Sequence, residues 1–391
     1  MQLSQDVMTA NPHAVFAAMR QQTAVAEIPL GDSGINGYLI TRYEDAKRAL
    51  TDPRLAKGPT NLIMPPEMVK AGLSKHMLSA DAPEHSRLRK LVSLEFTPRR
   101  IEALRPRIQQ ISDDLIAAMA AKESADLVDD YAFPLPFQVI CELIGVPMID
   151  RDDFRSWSNI LLDEFMVGTP ESVAAAESME SYIQSLVARK RSEPDDALLS
   201  GLIQASDAGD KLDEDELTSL VFLLLVAGHE TTVNLIGNAM FLLLQRPEVA
   251  DSLRENPDLI PNAIEEFLRY ESPVKTATLR MAVEEVEYGG VSIPAGNLVF
   301  IGLMSPNRDE SVFPEPDAFD ISRTEAAQHL AFGHGMHFCL GAPLARMEAR
   351  IAIGGLLSAF PKLRFAAAES ELAWRPGMLL RGLQHLPVQL S

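Results

Sequence analysis

The chain has 391 residues, 47% of them hydrophobic, and a formal net charge of −20. That length and balance predict a large buried core and exclude a disordered, fibrous or collagen-like protein. The acidic excess speaks against nucleic acid as a bulk partner, which needs a basic face, and two cysteines in a chain of this size exclude a disulfide framework.

Residues 1–11 are polar and hold no basic segment followed by an apolar one, so no secretory signal and a cytoplasmic location are expected. Short strand-like runs with turn residues, such as Gly37 to Thr41, mark the N-terminal part. Helices dominate from Asp81 onward. Asp81-Ala82-Pro83-Glu84 and Thr97-Pro98 each read as a helix start. Between them and Arg107, the residues Arg87, Arg89, Lys90, Arg99, Arg100, Arg105 and Arg107 outnumber Glu95 and Glu102, a pattern that fits either a solvated helix face or a docking face. Cys141 lies in an apolar helical stretch broken by Pro134, Pro136 and Pro147, where free cysteine acts as a small buried hydrophobe.

Acidic residues Asp213 to Glu216 stand at the mouth of a helix running to about Gln245, roughly 45 Å at about 1.5 Å per residue. Its apolar run is interrupted by His229, Glu230, Asn234 and Asn238, which favours a buried central helix over a membrane span. After Ser272-Pro273 strands and turns take over, with runs at Val274 to Met281, Val291 to Ile293 and Leu298 to Ile301. A long irregular stretch from Ser305 to Leu330 follows, and loops of that length need pinning or a function. The whole predicts one domain over residues 1–391, mainly α with smaller β regions, β-rich near the N-terminus.

Phe332-Gly333-His334-Gly335-Met336-His337-Phe338-Cys339-Leu340-Gly341 carries the strongest chemical signal. Its glycines let backbone approach a flat ligand and leave amides free for the cysteine sulfur. A helix from Ala342 would set its N-terminus beside Cys339, which favours the thiolate that binds metal. A single cysteine with no partner at finger spacing argues against zinc, and one soft ligand with a glycine cradle suits an iron porphyrin. Three further motifs accompany it. Ala227-Gly228-His229-Glu230-Thr231-Thr232 interrupts the central helix with small and hydroxyl residues. Glu266 and Arg269 are spaced to pair on one helix face. His85 and Arg89 lie one turn apart and point the same way.

Phe332, Gly333, Cys339 and Gly341, with these motifs in order, resemble the cytochrome P-450 superfamily, closest to soluble actinobacterial-type members that hydroxylate macrolides, polyketides and vitamin D-like sterols. The resemblance implies a heme-thiolate monooxygenase with a long central helix over heme b and Cys339 as the iron ligand. It implies Thr231 as the hydroxyl facing bound O2, Glu230 as part of a proton route, and Ala227 and Gly228 as the groove beside them. It implies His85, Arg89, Arg280 and His337 as partners of the heme propionates, and a buried ion pair of Glu266 and Arg269 joined by Arg323. No flavin or iron–sulfur segment is present, so a ferredoxin-type donor fed by an NAD(P)H reductase is implied, docking on the Arg87 to Arg107 run with Arg346. The substrate, a bulky hydrophobic molecule, is expected against Thr60 to Met77, Leu162 to Val173, Val274 to Leu279 and Met378 to Leu380, with neither nucleic acid nor membrane as partner. A heme sensor without turnover and a peroxygenase fit the same cofactor.

Overall fold

A computed structural model gives the fold and describes residues 9, 11–29, 36–58, 73–94, 96–147, 151–163, 169–207 and 212–391. Among these are twelve α-helices: α1 Pro12–Gln22, α2 Tyr43–Ala49, α3 Glu84–Ser93, α4 Pro98–Ala120, α5 Pro134–Ile144, α6 Arg151–Asp163, α7 Pro170–Ser192, α8 Leu198–Asp207, α9 Glu214–Leu244, α10 Pro247–Glu255, α11 Ile260–Tyr270 and α12 Ala342–Ala359. Ten short strands accompany them: β1 Val25–Pro29, β2 Asn36–Ile40, β3 Leu55–Ala56, β4 Ser124–Asp126, β5 Arg280–Ala282, β6 Val286–Tyr288, β7 Val291–Ile293, β8 Leu298–Ile301, β9 Arg364–Phe365 and β10 Pro387–Gln389.

The chain falls into two compact units. The first holds residues 1–55, 104–135 and 231–391. Its main sheet has the order β1-β2-β8-β5-β3. Strands β1 and β2 form an antiparallel pair, β2 runs parallel to β8 with Gly37 opposite Leu298, and β5 is antiparallel to β8 with Arg280 opposite Val299. Side chains such as Ile40, Tyr43, Tyr288, Val299 and Phe313 make one buried cluster around it. A small sheet, β4-β10-β9, joins residues far apart in sequence. The second unit holds residues 56–103 and 136–230 and is helical, with α7 packed on α6 and α8.

Helix α9 begins on a reciprocal cap: Glu216 N–H donates to Asp213 Oδ1 at 2.7 Å, and Asp213 N–H donates to Glu216 Oε2 at 3.1 Å. Its most apolar window is 83% buried inside the protein, the burial of a core helix. The predicted strand over Val274 to Met281 is shorter than its pattern suggests. Val274 and Thr276 form only isolated bridges, to Leu380 and Gly302, and regular pairing begins at Arg280. The long stretch from Ser305 to Leu330 is irregular, with short 3-10 turns at Pro306–Arg308 and Ala326–Gln328.

Candidate functional site

Around Cys339 the chain folds back on itself. Gly333 N–H donates to Leu330 O at 2.8 Å, Phe338 N–H to Gly335 O at 3.0 Å, and Cys339 N–H to Phe332 O at 2.9 Å. Gly333 and Gly335 take φ of +71° and +73°, and a Cβ on Gly335 would meet Thr51 Cγ2 at 2.7 Å, so both positions demand glycine. Cys339 is half-buried, and α12 starts three residues after it. A Cβ on Gly341 would lie 3.9 Å from Cys339 Sγ. The sulfur therefore lies at the positive end of α12, where the thiolate is favoured. His337 closes the 3-10 turn just before it.

Helix α11 holds this loop and the irregular stretch before it. Glu266 and Arg269 are both fully buried and joined at 2.7 and 2.8 Å, with Arg323 Nε at 3.5 Å from the same carboxylate. The neighbouring Glu265 accepts two bonds from Arg346, each 2.7 Å, and lies 3.1 Å from His329 Nε2. Burial pushes the Glu265 carboxyl up, but the Arg346 and His329 hydrogen bonds outweigh it and hold the group at about 2. The Arg346 guanidinium also lies over the Phe332 ring, 4.6 Å from its centroid. Arg346, expected on a docking face, is thus committed to Glu265 and Phe332.

Strand β5 carries Arg280 into the interior. The residue is 4% exposed, and its guanidinium donates to Leu50 O at 3.1 Å and to Ala49 O and Leu55 O at 3.4 Å. Nearby in sequence, two of the expected substrate segments are laced together. Lys275 N–H donates to Leu379 O at 2.8 Å, Lys275 Nζ to Gly377 O at 2.7 Å, and Thr276 Oγ1 to Met378 O at 3.1 Å. Those bonds explain why the chain forms bridges there instead of a strand. Of the other expected substrate segments, residues 60–72 and 164–168 lie outside the described residues.

In the second unit, His85 and Arg89 share α3 as their spacing predicts, and His85 is 2% exposed. Burial first, then the charges of Arg89 and Lys57, lower the His85 pKa below its ordinary value. Lys57, itself buried, belongs to this cationic group and has no sequence signal beyond its charge. Between Leu217 and Met240, α9 is buried at every position except Ala227, Gly228 and Thr231, which fall on one helix face. The glycine has a packing reason: a Cβ at 228 would lie 2.7 Å from Ile140 Cδ1, so Gly228 lets α9 approach α5 closely and does not open a groove on that side. Glu230 is buried and accepts from Ser158 Oγ at 3.4 Å, and its Oε1 lies 3.1 Å from His229 Nε2.

A profile of the family described as "Cytochrome P450" matches residues 2–363. The chain is 50% identical to "Cytochrome P450 107B1" of Saccharopolyspora erythraea, covering 98% of this chain and 96% of that protein. It is 47% identical to "Vitamin D(3) 25-hydroxylase" of Pseudonocardia autotrophica, covering 97% and 94%. Among solved structures, the tirandamycin C-bound P450 monooxygenase TamI superposes with a TM-score of 0.93 at 42% identity, covering 100% of this chain and 99% of that one.

Proposed function

Because this chain belongs to the cytochrome P450 family of heme-thiolate monooxygenases, we propose that it inserts one oxygen atom of O2 into a carbon–hydrogen bond of a bulky hydrophobic molecule of macrolide, polyketide, terpenoid or sterol type. Its electrons come from a ferredoxin-type donor fed by an NAD(P)H reductase. The relative named as a vitamin D(3) hydroxylase supports that substrate range. The observation that carries the proposal is Cys339, set in a glycine loop at the head of α12 with its N–H on Phe332 O.

The donor set fits a heme: one sulfur ligand from the protein, and buried cations for carboxylate side arms. Heme, when bound, supplies the O2-activating redox chemistry. The chain's own residues hold it and feed protons. Cys339 would supply the sulfur ligand, and the positive end of α12 favours its ionised form. Phe332, pinned beneath Arg346, holds the loop through its carbonyl bond to Cys339 N–H, with Gly333 and Gly341 giving backbone room beside it. Arg280, His337, His85 and Arg89 are the residues that would serve the propionates. Thr231 offers its hydroxyl at the least covered face of α9, flanked by Ala227 and Gly228. Glu230 moves protons from the interior of the same helix. Glu266, Arg269 and Arg323 hold the stretch that leads to Phe332 and take no part in chemistry.

The decisive experiment replaces Cys339 with serine and compares ferrous carbon monoxide spectra. The native protein shows the long-wavelength thiolate band and Cys339→Ser lacks it; a native protein without the band, or a variant that keeps it, overturns the proposal. Thr231→Ala separates an oxygenase, which loses coupling of electrons to product, from a heme sensor, which loses nothing. Rapid turnover on hydrogen peroxide alone marks a peroxygenase instead.

A further inference from the structure

The proposed chemistry leaves one buried titratable group in α9 without a task. His229 is fully buried, edge-on to Phe137 and Phe154, with ring centroids 5.3 and 5.9 Å away. Its Nδ1 lies 2.7 Å from Leu225 O, one turn earlier. A carbonyl oxygen only accepts, so Nδ1 carries a proton. In a neutral ring that leaves Nε2 with a lone pair, and Nε2 faces Glu230 Oε1 at 3.1 Å. An ionised carboxylate also presents only lone pairs. Two acceptors do not hold that separation in a buried site unless a proton lies between them. Ser158 Oγ, donating at 3.4 Å to the same oxygen, is the third member of the group.

The geometry points to a proton shared by His229 and Glu230, beyond the one on Nδ1. The pair is either imidazolium with carboxylate or neutral imidazole with carboxylic acid. Both forms have zero net charge, which resolves how a carboxyl group 2% exposed sits inside a helix bundle. The assignment rests on the oxygenase proposal for its consequence: His229 is a positioning residue that keeps the proposed proton donor, Glu230, loaded. When the shared proton is passed on, the pair is left as neutral imidazole and carboxylate. One proton from solvent restores it, with no electron moved. The two flanking phenylalanines keep water from the ring and make the pair, not solvent, the nearest proton store.

The test uses the heme-loaded, ferrous carbon monoxide form of the full chain. Histidine nitrogen resonances, with His229 identified by its absence in His229→Phe, report ring protonation. Infrared difference against Glu230→Gln reports a carboxylic acid. Both ring nitrogens protonated, or Nδ1 protonated together with an acid carbonyl band, supports the shared proton. A ring protonated only at Nε2, or only at Nδ1 with no acid band, overturns it. His229→Phe keeps an aromatic ring beside Phe137 and Phe154 while deleting both nitrogens. It is expected to lower product formed per electron by on the order of tenfold, as a partly lost general acid does, with ligand affinity and the thiolate band unchanged. Native coupling in that variant overturns the role. A native protein lacking the thiolate band would sink the oxygenase proposal alone, because the nitrogen and infrared readouts do not depend on it.

Discussion

Glu265 and Glu266 are neighbours on α11, yet they secure two stretches of chain by different physics. Glu266 organises residues 307–323. Besides its two bonds from Arg269 it accepts from Asp320 N–H at 2.9 Å, and Arg269 spends its remaining donors on the carbonyls of Asn307, Pro316 and Ala318 at 2.8 to 3.0 Å. Arg323 adds bonds to Pro314, Glu315 and Ala318 carbonyls. Glu266, Arg269 and Arg323 are themselves buried and take up the carbonyls of the stretch, so the cluster replaces the secondary structure that it lacks. Glu265 instead grips Arg346, whose side chain is 35% exposed, and His329, three residues before Phe332. A closed cluster decides whether the stretch folds; a half-open one adjusts how firmly the Cys339 loop is held.

The largest expected effect breaks the closed cluster. Arg269→Ala leaves a buried carboxylate with too few donors, a loss of about 3–5 kcal/mol, a large share of a stability that is typically about 5–15 kcal/mol. Arg269→Lys should fail nearly as badly, because a single ammonium cannot serve the carboxylate and three carbonyls together. Thermal unfolding and retained heme measure both. An Arg269→Ala protein melting close to the native one would remove the distinction between the two glutamates.

A third glutamate sharpens the comparison by lacking a cation. Glu348, on α12, is 1% exposed, and its Oε2 has no hydrogen-bond partner among the described residues. Burial alone pushes its pKa from 4.5 up to about 8. The folded state therefore keeps a proton that the unfolded state releases between those values, so this group's contribution is complete below 4.5 and is lost as pH rises through about 8. Glu348→Gln keeps the neutral shape without the titration. Its melting temperature relative to the native protein should rise steadily between about pH 5 and about pH 8; a constant difference would show that the carboxyl is not held neutral.

How far the chain can be read before folding follows from the same contrast. Helix α9 is legible because Asp213 and Glu216 cap it locally and its apolar run is long. The loop at Cys339 is legible because its glycines are needed where they stand. Strands β4, β9 and β10 are not, since two or three residues hold no period and their partners are distant in sequence. Arg346 reads as one more surface base, because its carboxylate is 81 positions away. Gly228 reads as an opening in the helix wall, because the side chain that fills the space, Ile140, belongs to another helix. Residue type and spacing announce the chemistry, whereas the partners that hold it are chosen by tertiary contact.

Opening the half-open cluster costs less than breaking the closed one. Arg346→Met should lower stability by about 1–3 kcal/mol, the cost of stripping a charged partner from a partly covered carboxylate. It should also let the thiolate band decay to the thiol form faster, since Phe332 loses the cation above it. The Glu265 pKa is held below its ordinary 4.5, at about 2. Its contribution is therefore present above 4.5 and is lost as pH falls toward 2, so the gap between native and variant stability should close over that window. A gap that does not change with pH would mean the pair is not what Arg346 contributes.

The smallest effect belongs to a pair at the surface, and it bears on electron delivery. Arg87 pairs with Glu216, their side chains 38% and 16% exposed, and Glu216 already has a second task in capping α9. Exposed pairs are worth about 0–1 kcal/mol, so Arg87→Ala should hardly move the melting temperature, and less still at high salt. Arg99 is exposed on the first turn of α4. If the basic run receives an acidic donor protein, charge left open to solvent steers encounter better than charge already paired. Arg99→Ala should then raise the donor's apparent KM in a salt-dependent way, and Arg87→Ala should raise it less. Equal effects from both would mean that Arg87 leaves Glu216 for the donor, and that pairing at this surface does not commit a side chain as it does beside Cys339.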